Sequence, residues 1–62
     1  MFCQIQYLTG HSPKTRIVSR HYQSAACMTD MEEFASAECR TRHAEGFRLT
    51  DMHTGIVTEV WD

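Results

Sequence analysis

With 62 residues, 42% of them hydrophobic and 23% charged, the sequence has the composition of one ordinary globular domain, which excludes the disordered and low-complexity classes. No apolar run approaches the eighteen or so residues that span a bilayer. Three cysteines (Cys3, Cys27 and Cys39) with no close pair argue against the even disulfide framework of a small secreted domain. A net charge of −2 is unevenly spread: before residue 30 the only permanent charges are Lys14, Arg16 and Arg20, and every Asp and Glu follows. Such asymmetry bears on partners and association rate rather than on fold.

A chain this short buries only roughly 60% of the surface its unfolded form exposes, so its stability is thin and a supporting partner, metal or cross-link is expected. The opening Met1-Phe2-Cys3-Gln4-Ile5-Gln6 has neither the basic nor the long apolar region of a signal peptide, and the expected location is the cytoplasm.

Phe2 to Leu8 alternates, with Cys3, Ile5 and Tyr7 on one side and Gln4 and Gln6 on the other, as a half-buried strand does. Thr9-Gly10-His11-Ser12-Pro13 reads as a turn. Thr15 to about Gln23 supplies a second strand through Ile17, Val18 and Tyr22. The two segments are close enough in sequence to pair as an antiparallel hairpin.

Thr29-Asp30-Met31-Glu32 fits a capping box, with acids in the first turn and Arg40, Arg42 and His43 near the end. The expected helix covers residues 30–44 and ends with Gly46 as the left-handed residue. Its apolar stripe runs through Phe34, Ala37, Thr41 and Ala44, widened by Met31 and Ala35. Glu38 and Arg42 stand four apart in the favourable order, worth ~0.3–0.5 kcal/mol when exposed.

Phe47-Arg48-Leu49, the turn residues Asp51 to Gly55, and Ile56 to Trp61 form a second hairpin. The ββαββ order predicts a single α+β domain over residues 1–62: a four-stranded antiparallel sheet with one helix packed on one face. The last strand is apolar on both sides, Ile56 and Val60 against Val57 and Trp61, and the second strand sets Ile17 opposite to Val18. One helix covers one face only. Apolar residues are therefore expected on the uncovered face, where they mark an interface or are merely the scattered hydrophobes that any surface carries.

Chemistry finds little footing. Cys39 and His43, four apart on the helix, are the only close pair of metal-ligand type, and nothing in the spacing brings a third ligand; no metal or other cofactor is expected. The same pair suggests a nucleophile and its base, but a one-helix domain leaves scant volume for a substrate cavity, and no catalytic residue is assigned. The glycines are isolated, without a phosphate-binding fingerprint. Nucleic-acid binding has a candidate in the basic first hairpin, where Lys14, Arg16 and Arg20 sit near His11, His21, Tyr7 and Tyr22. Three cations on an acidic protein are a small footprint for phosphate contacts.

A protein–protein module remains. Its expected anchors are Trp61 and Tyr22, with Glu32 and Glu33 or Arg16 and Arg20 as steering charges, since Trp, Tyr and Arg dominate interface energetics. The expected partner is a larger protein or ribonucleoprotein complex, with a homodimer as another form of the same idea and nucleic acid as the alternative.

In outline, the helix opening at Thr29 and the closing hairpin from Phe47 to Val57 resemble the compact β-hairpin–helix–β-hairpin proteins of bacteriophages and mobile elements. That resemblance spans most of the chain and rests on pattern rather than a motif. It implies a stoichiometric inhibitor of a host nucleic-acid-processing or defence complex, of the anti-CRISPR type, working in the host cytoplasm. It transfers no functional residues.

Overall fold

A computed structural model describes residues 1–61. The elements are β1 (Phe2–Thr9), β2 (Arg16–Ser24), α1 (Met28–Thr41), β3 (Gly46–Asp51) and β4 (Val57–Trp61). The strands form one antiparallel sheet in the order β2-β1-β3-β4, so two hairpins lie side by side with β1 and β3 in the centre. The α+β class and the ββαββ order are those expected.

The alternation of β1 sets the core. Cys3, Ile5 and Tyr7 are fully buried on the helix side; Leu49 lies directly opposite Ile5, and Phe47 opposite Tyr7. Met31, Ala35 and Cys39 of α1 close over them. Each large apolar side chain so buried contributes ~1.5–3 kcal/mol. The helix stripe is rotated from the expected one: Phe34 and Ala44 pack at the margin of the core, while Ala37 and Thr41 are exposed.

Both helix ends differ from expectation. The N-cap is Cys27, in extended conformation and without a side-chain cap bond, so the Thr29 capping box does not form. The earlier start places Met28 against the core. Burying a methionine side chain is worth more than a cap of ~1 kcal/mol, and tertiary packing wins. At the other end His43, not Gly46, is left-handed (φ 56°). The Ala44 amide donates to the Cys39 carbonyl and the His43 amide to that of Arg40, the two bonds of a Schellman motif. Gly46 is already the first residue of β3.

The hairpin turns follow local chemistry. Between β3 and β4, the Asp51 carboxylate accepts from the His53 and Thr54 amides, and Gly55 (φ 78°) donates to the Asp51 carbonyl while the Asp51 amide donates to that of Ile56. This is a turn closed by a glycine bulge. Between β1 and β2, a register shift after Tyr7 leaves Val18 as an extra residue. Ile17 therefore sits opposite Leu8 on the side away from α1, where strict alternation would have set it under the helix. Among the described residues, no helix is long and apolar enough to cross a membrane.

Candidate functional site

Residues opposite one another in an antiparallel ladder share a face. On the face away from α1, the register gives ordered rows across the sheet. One row is Tyr22, Gln4, Thr50 and Val57; the next is Arg20, Gln6, Arg48 and Glu59; the last is Ile17, Leu8, Gly46 and Trp61. Phe2 stands beyond the first row.

The aromatic end is open. The rings of Phe2 and Tyr22 stack with centroids 5.8 Å apart, and Gln4 Nε2 donates to the Tyr22 hydroxyl at 3.2 Å. Phe2, Tyr22, Val18 and Val57 each leave about half their surface to solvent (47, 52, 47 and 55%). Phe2 and Tyr22 form an exposed aromatic pair at the β2 edge, and Val57 ends the same row at the β4 edge, beyond Gln4 and Thr50.

The middle row is a polar relay. Arg48 Nε donates to Glu59 Oε2 at 3.0 Å, and Arg48 Nη1 to Gln6 Oε1 at 3.2 Å. Trp61 Nε1 donates to the other Glu59 oxygen at 2.8 Å. These donors, the indole first, hold the Glu59 carboxyl below its usual range. Arg48 is thus neutralised in place, whereas Arg20, at the other end of the row, is exposed.

The Trp61 end is built rather than bare. The indole lies over Gly46 and meets the His11 ring at 4.9 Å. Leu8, in the same row, is fully buried yet stands apart from the helix-side core. Glu45 ties this corner together by accepting from the Gly10 amide and the Thr9 hydroxyl, with His11 Nε2 at 3.7 Å from its other oxygen.

Of the six residues expected to make contact, Tyr22, Arg20 and Trp61 come together on this face. Arg16 lies at the start of β2, opposite Thr9, and lines a shallow cleft with Lys14 and Glu45. Glu32 and Glu33 belong to α1 on the other side of the molecule, beside a cleft against Phe47 and Val60. The sequence reading missed Phe2, Val57, Arg48 and Glu59. Phe2 is in phase with Gln4 and Gln6, which was signal enough; the Arg48–Glu59 pair appears only once the second hairpin's register is known.

Cys39 and His43 are separated by burial: the Cys39 thiol is fully buried and donates to the Gly46 carbonyl, while His43 is exposed. Among the described residues, no three His, Cys, Asp or Glu side chains are grouped to hold a metal ion. Comparison with protein-family models, curated proteins and solved structures finds no match.

Proposed function

We propose that this protein is a non-catalytic binding module that docks a larger protein on the open face of its sheet. One observation carries the reading: Phe2, Tyr22 and Val57 expose about half their surface on a face that no element covers. The aromatic pair offers large, rigid contact area, and Arg20 beside it completes the residue types that anchor interfaces. The border along β2 carries Lys14, Arg16 and Arg20, with Glu45 beside the first two, and is net positive, so the matching surface is an apolar patch rimmed by carboxylates.

Glu59 favours a protein over nucleic acid. It occupies Arg48, the cation nearest the centre of the face, and adds a negative charge where a phosphate backbone would run. A chain of this size acts on a larger complex by occluding it. The stoichiometric inhibitor suggested by the phage-type outline is therefore the concrete form of the proposal, and a second copy of this chain is an outcome of the test.

The test is quantitative capture from a host-like lysate by tagged wild type, Tyr22→Ala/Phe2→Ala and Arg20→Glu. Support is one protein complex held in fixed ratio by wild type and lost from the aromatic variant, with the Arg20→Glu loss shrinking at high salt. Retention of nucleic acid alone, with affinity falling steeply in salt, overturns the reading in favour of nucleic-acid binding. Retention of the same complex by all variants removes the open face from it.

A further inference from the structure

The helix side of the molecule carries a second surface, which meets the open face only along the β4 edge. The cleft beside Glu32 and Glu33 has a volume of about 240 Å3; Thr29, Glu32, Glu33 and Ser36 of α1 form its wall, and Phe47 and Val60 form its floor. No basic residue lines it. Along its outer side runs β4, an outermost strand of the sheet among the described residues.

The ladder shows which way the backbone of β4 points. The Asp51 amide bonds the Ile56 carbonyl, and hydrogen-bonded pairs recur every second residue, so Leu49–Thr58 and Phe47–Val60 are the bonded pairs that follow. Val57, Glu59 and Trp61 therefore turn their N–H and C=O groups outward from the sheet. The opposite edge is guarded: β2 has a bulge at Val18 and carries Arg16 and Arg20. β4 has neither a bulge nor a Lys or Pro, and its one charge, Glu59, is taken by Arg48.

We infer that β4 and the adjoining cleft receive an extended basic peptide segment of a partner protein. The segment adds as a fifth strand on the outward groups of Val57, Glu59 and Trp61. Side chains of an added strand alternate, and those opposite Thr58 or Val60 fall on the α1 side, next to the cleft. A Lys or Arg there lays its aliphatic stem over Val60 and Phe47 and sets its cation between Glu32 and Glu33. The apolar floor with an acidic rim is what selects a long basic side chain over an acidic or a short one.

The probe is a peptide of alternating Thr and Val with a single central Lys, compared with otherwise identical peptides carrying Glu or Ala there. Amide NMR shifts and hydrogen exchange are read on the whole protein. The Lys peptide is expected to shift and protect the Val57, Glu59 and Trp61 amides. Replacing both acids (Glu32→Gln/Glu33→Gln) weakens its binding about three- to tenfold, the size expected of partly screened ion pairs. Charge reversal (Glu32→Lys/Glu33→Lys) transfers the preference to the Glu peptide, a readout that general destabilisation does not mimic. Tyr22→Ala leaves the peptide affinity unchanged, so failure here and failure of the open-face reading are separate results. The inference is overturned by perturbation along β2 in place of β4, by no perturbation of β4, or by equal affinity for the Lys and Glu peptides.

Discussion

The indole of Trp61 lies so close over Gly46 that a Cβ at Gly46 would stand 2.7 Å from its ring and 2.6 Å from the Val60 carbonyl oxygen. A side chain can turn aside; the backbone oxygen of a paired strand does not. Gly46→Ala is expected to destabilise by ~1–3 kcal/mol, the range for forced overpacking, and to shift Trp61 fluorescence as the ring lifts. Urea unfolding gives the first number and the native emission spectrum the second. An unchanged midpoint would mean that the indole does not rest there.

His43 pays the conformational cost that a glycine elsewhere was expected to absorb. It is exposed and left-handed, at the one position of the Schellman motif that favours glycine. His43→Gly is expected to stabilise the fold by ~0.5–1 kcal/mol, seen as a higher urea midpoint at constant slope. Destabilisation would contradict the assigned helix end.

Tyr7 gives the protein an alkaline limit. Its ring is fully buried with the Arg42 guanidinium 4.7 Å from the centroid, and its hydroxyl has no hydrogen-bond partner. Burial pushes the phenol up from 10.0 to about 12, against the lowering effect of Arg42. A raised folded-state value means that the unfolded chain releases the proton first. The contribution is therefore complete below the ordinary value and is lost as pH rises through the folded one. Tyr7→Phe removes the titration and an unsatisfied polar atom together. Its expected stability at neutral pH is unchanged or ~1 kcal/mol greater. Urea midpoints at about pH 8 and about pH 11 should fall for wild type and fall less for Tyr7→Phe; parallel falls would show that Tyr7 is not the group responsible.

Three carboxylates set the acid limit. Glu45 is lowered by the Gly10 amide and the Thr9 hydroxyl, Asp51 by the His53 and Thr54 amides, and Glu59 by the Trp61 indole and Arg48. Lowered folded values contribute stability above the ordinary carboxylate range and lose it as pH falls through them. Melting temperature should hold steady down to about pH 5 and decline below it. Glu45→Gln should blunt that decline, because its hydrogen bonds no longer depend on pH. An equally steep acid limb in this variant would assign the effect elsewhere.

What the sequence made legible was periodic. The alternation of Cys3, Ile5 and Tyr7, and the spacing of Phe47 and Leu49, placed the core of β1 and β3 and the hairpins around them. The helix ends were not legible, since Met28 and His43 obey packing and chain reversal where the residue types at Thr29 and Gly46 promised a cap and a stop. Gly46 serves a contact with Trp61, fifteen residues away at the end of the next strand. The proposed docking face was half legible: Tyr22, Arg20 and Trp61 came from residue type alone. Phe2 was legible from its phase with Gln4 and Gln6 and Val57 from its phase with Trp61; register set them in line with Tyr22, and the bulge at Val18 turned Ile17 to a side that alternation did not give it.

The most direct test of the docking face is site-specific photocrosslinking. A photoreactive phenylalanine is placed in turn at Tyr22, at Val57 and, as a control, at Ala37 on the exposed side of α1. A single protein partner crosslinked from Tyr22 and Val57 and not from Ala37 is the predicted result. Crosslinks to that partner from Ala37 alone, or to nucleic acid alone from the sheet positions, would contradict docking of a protein on the open face.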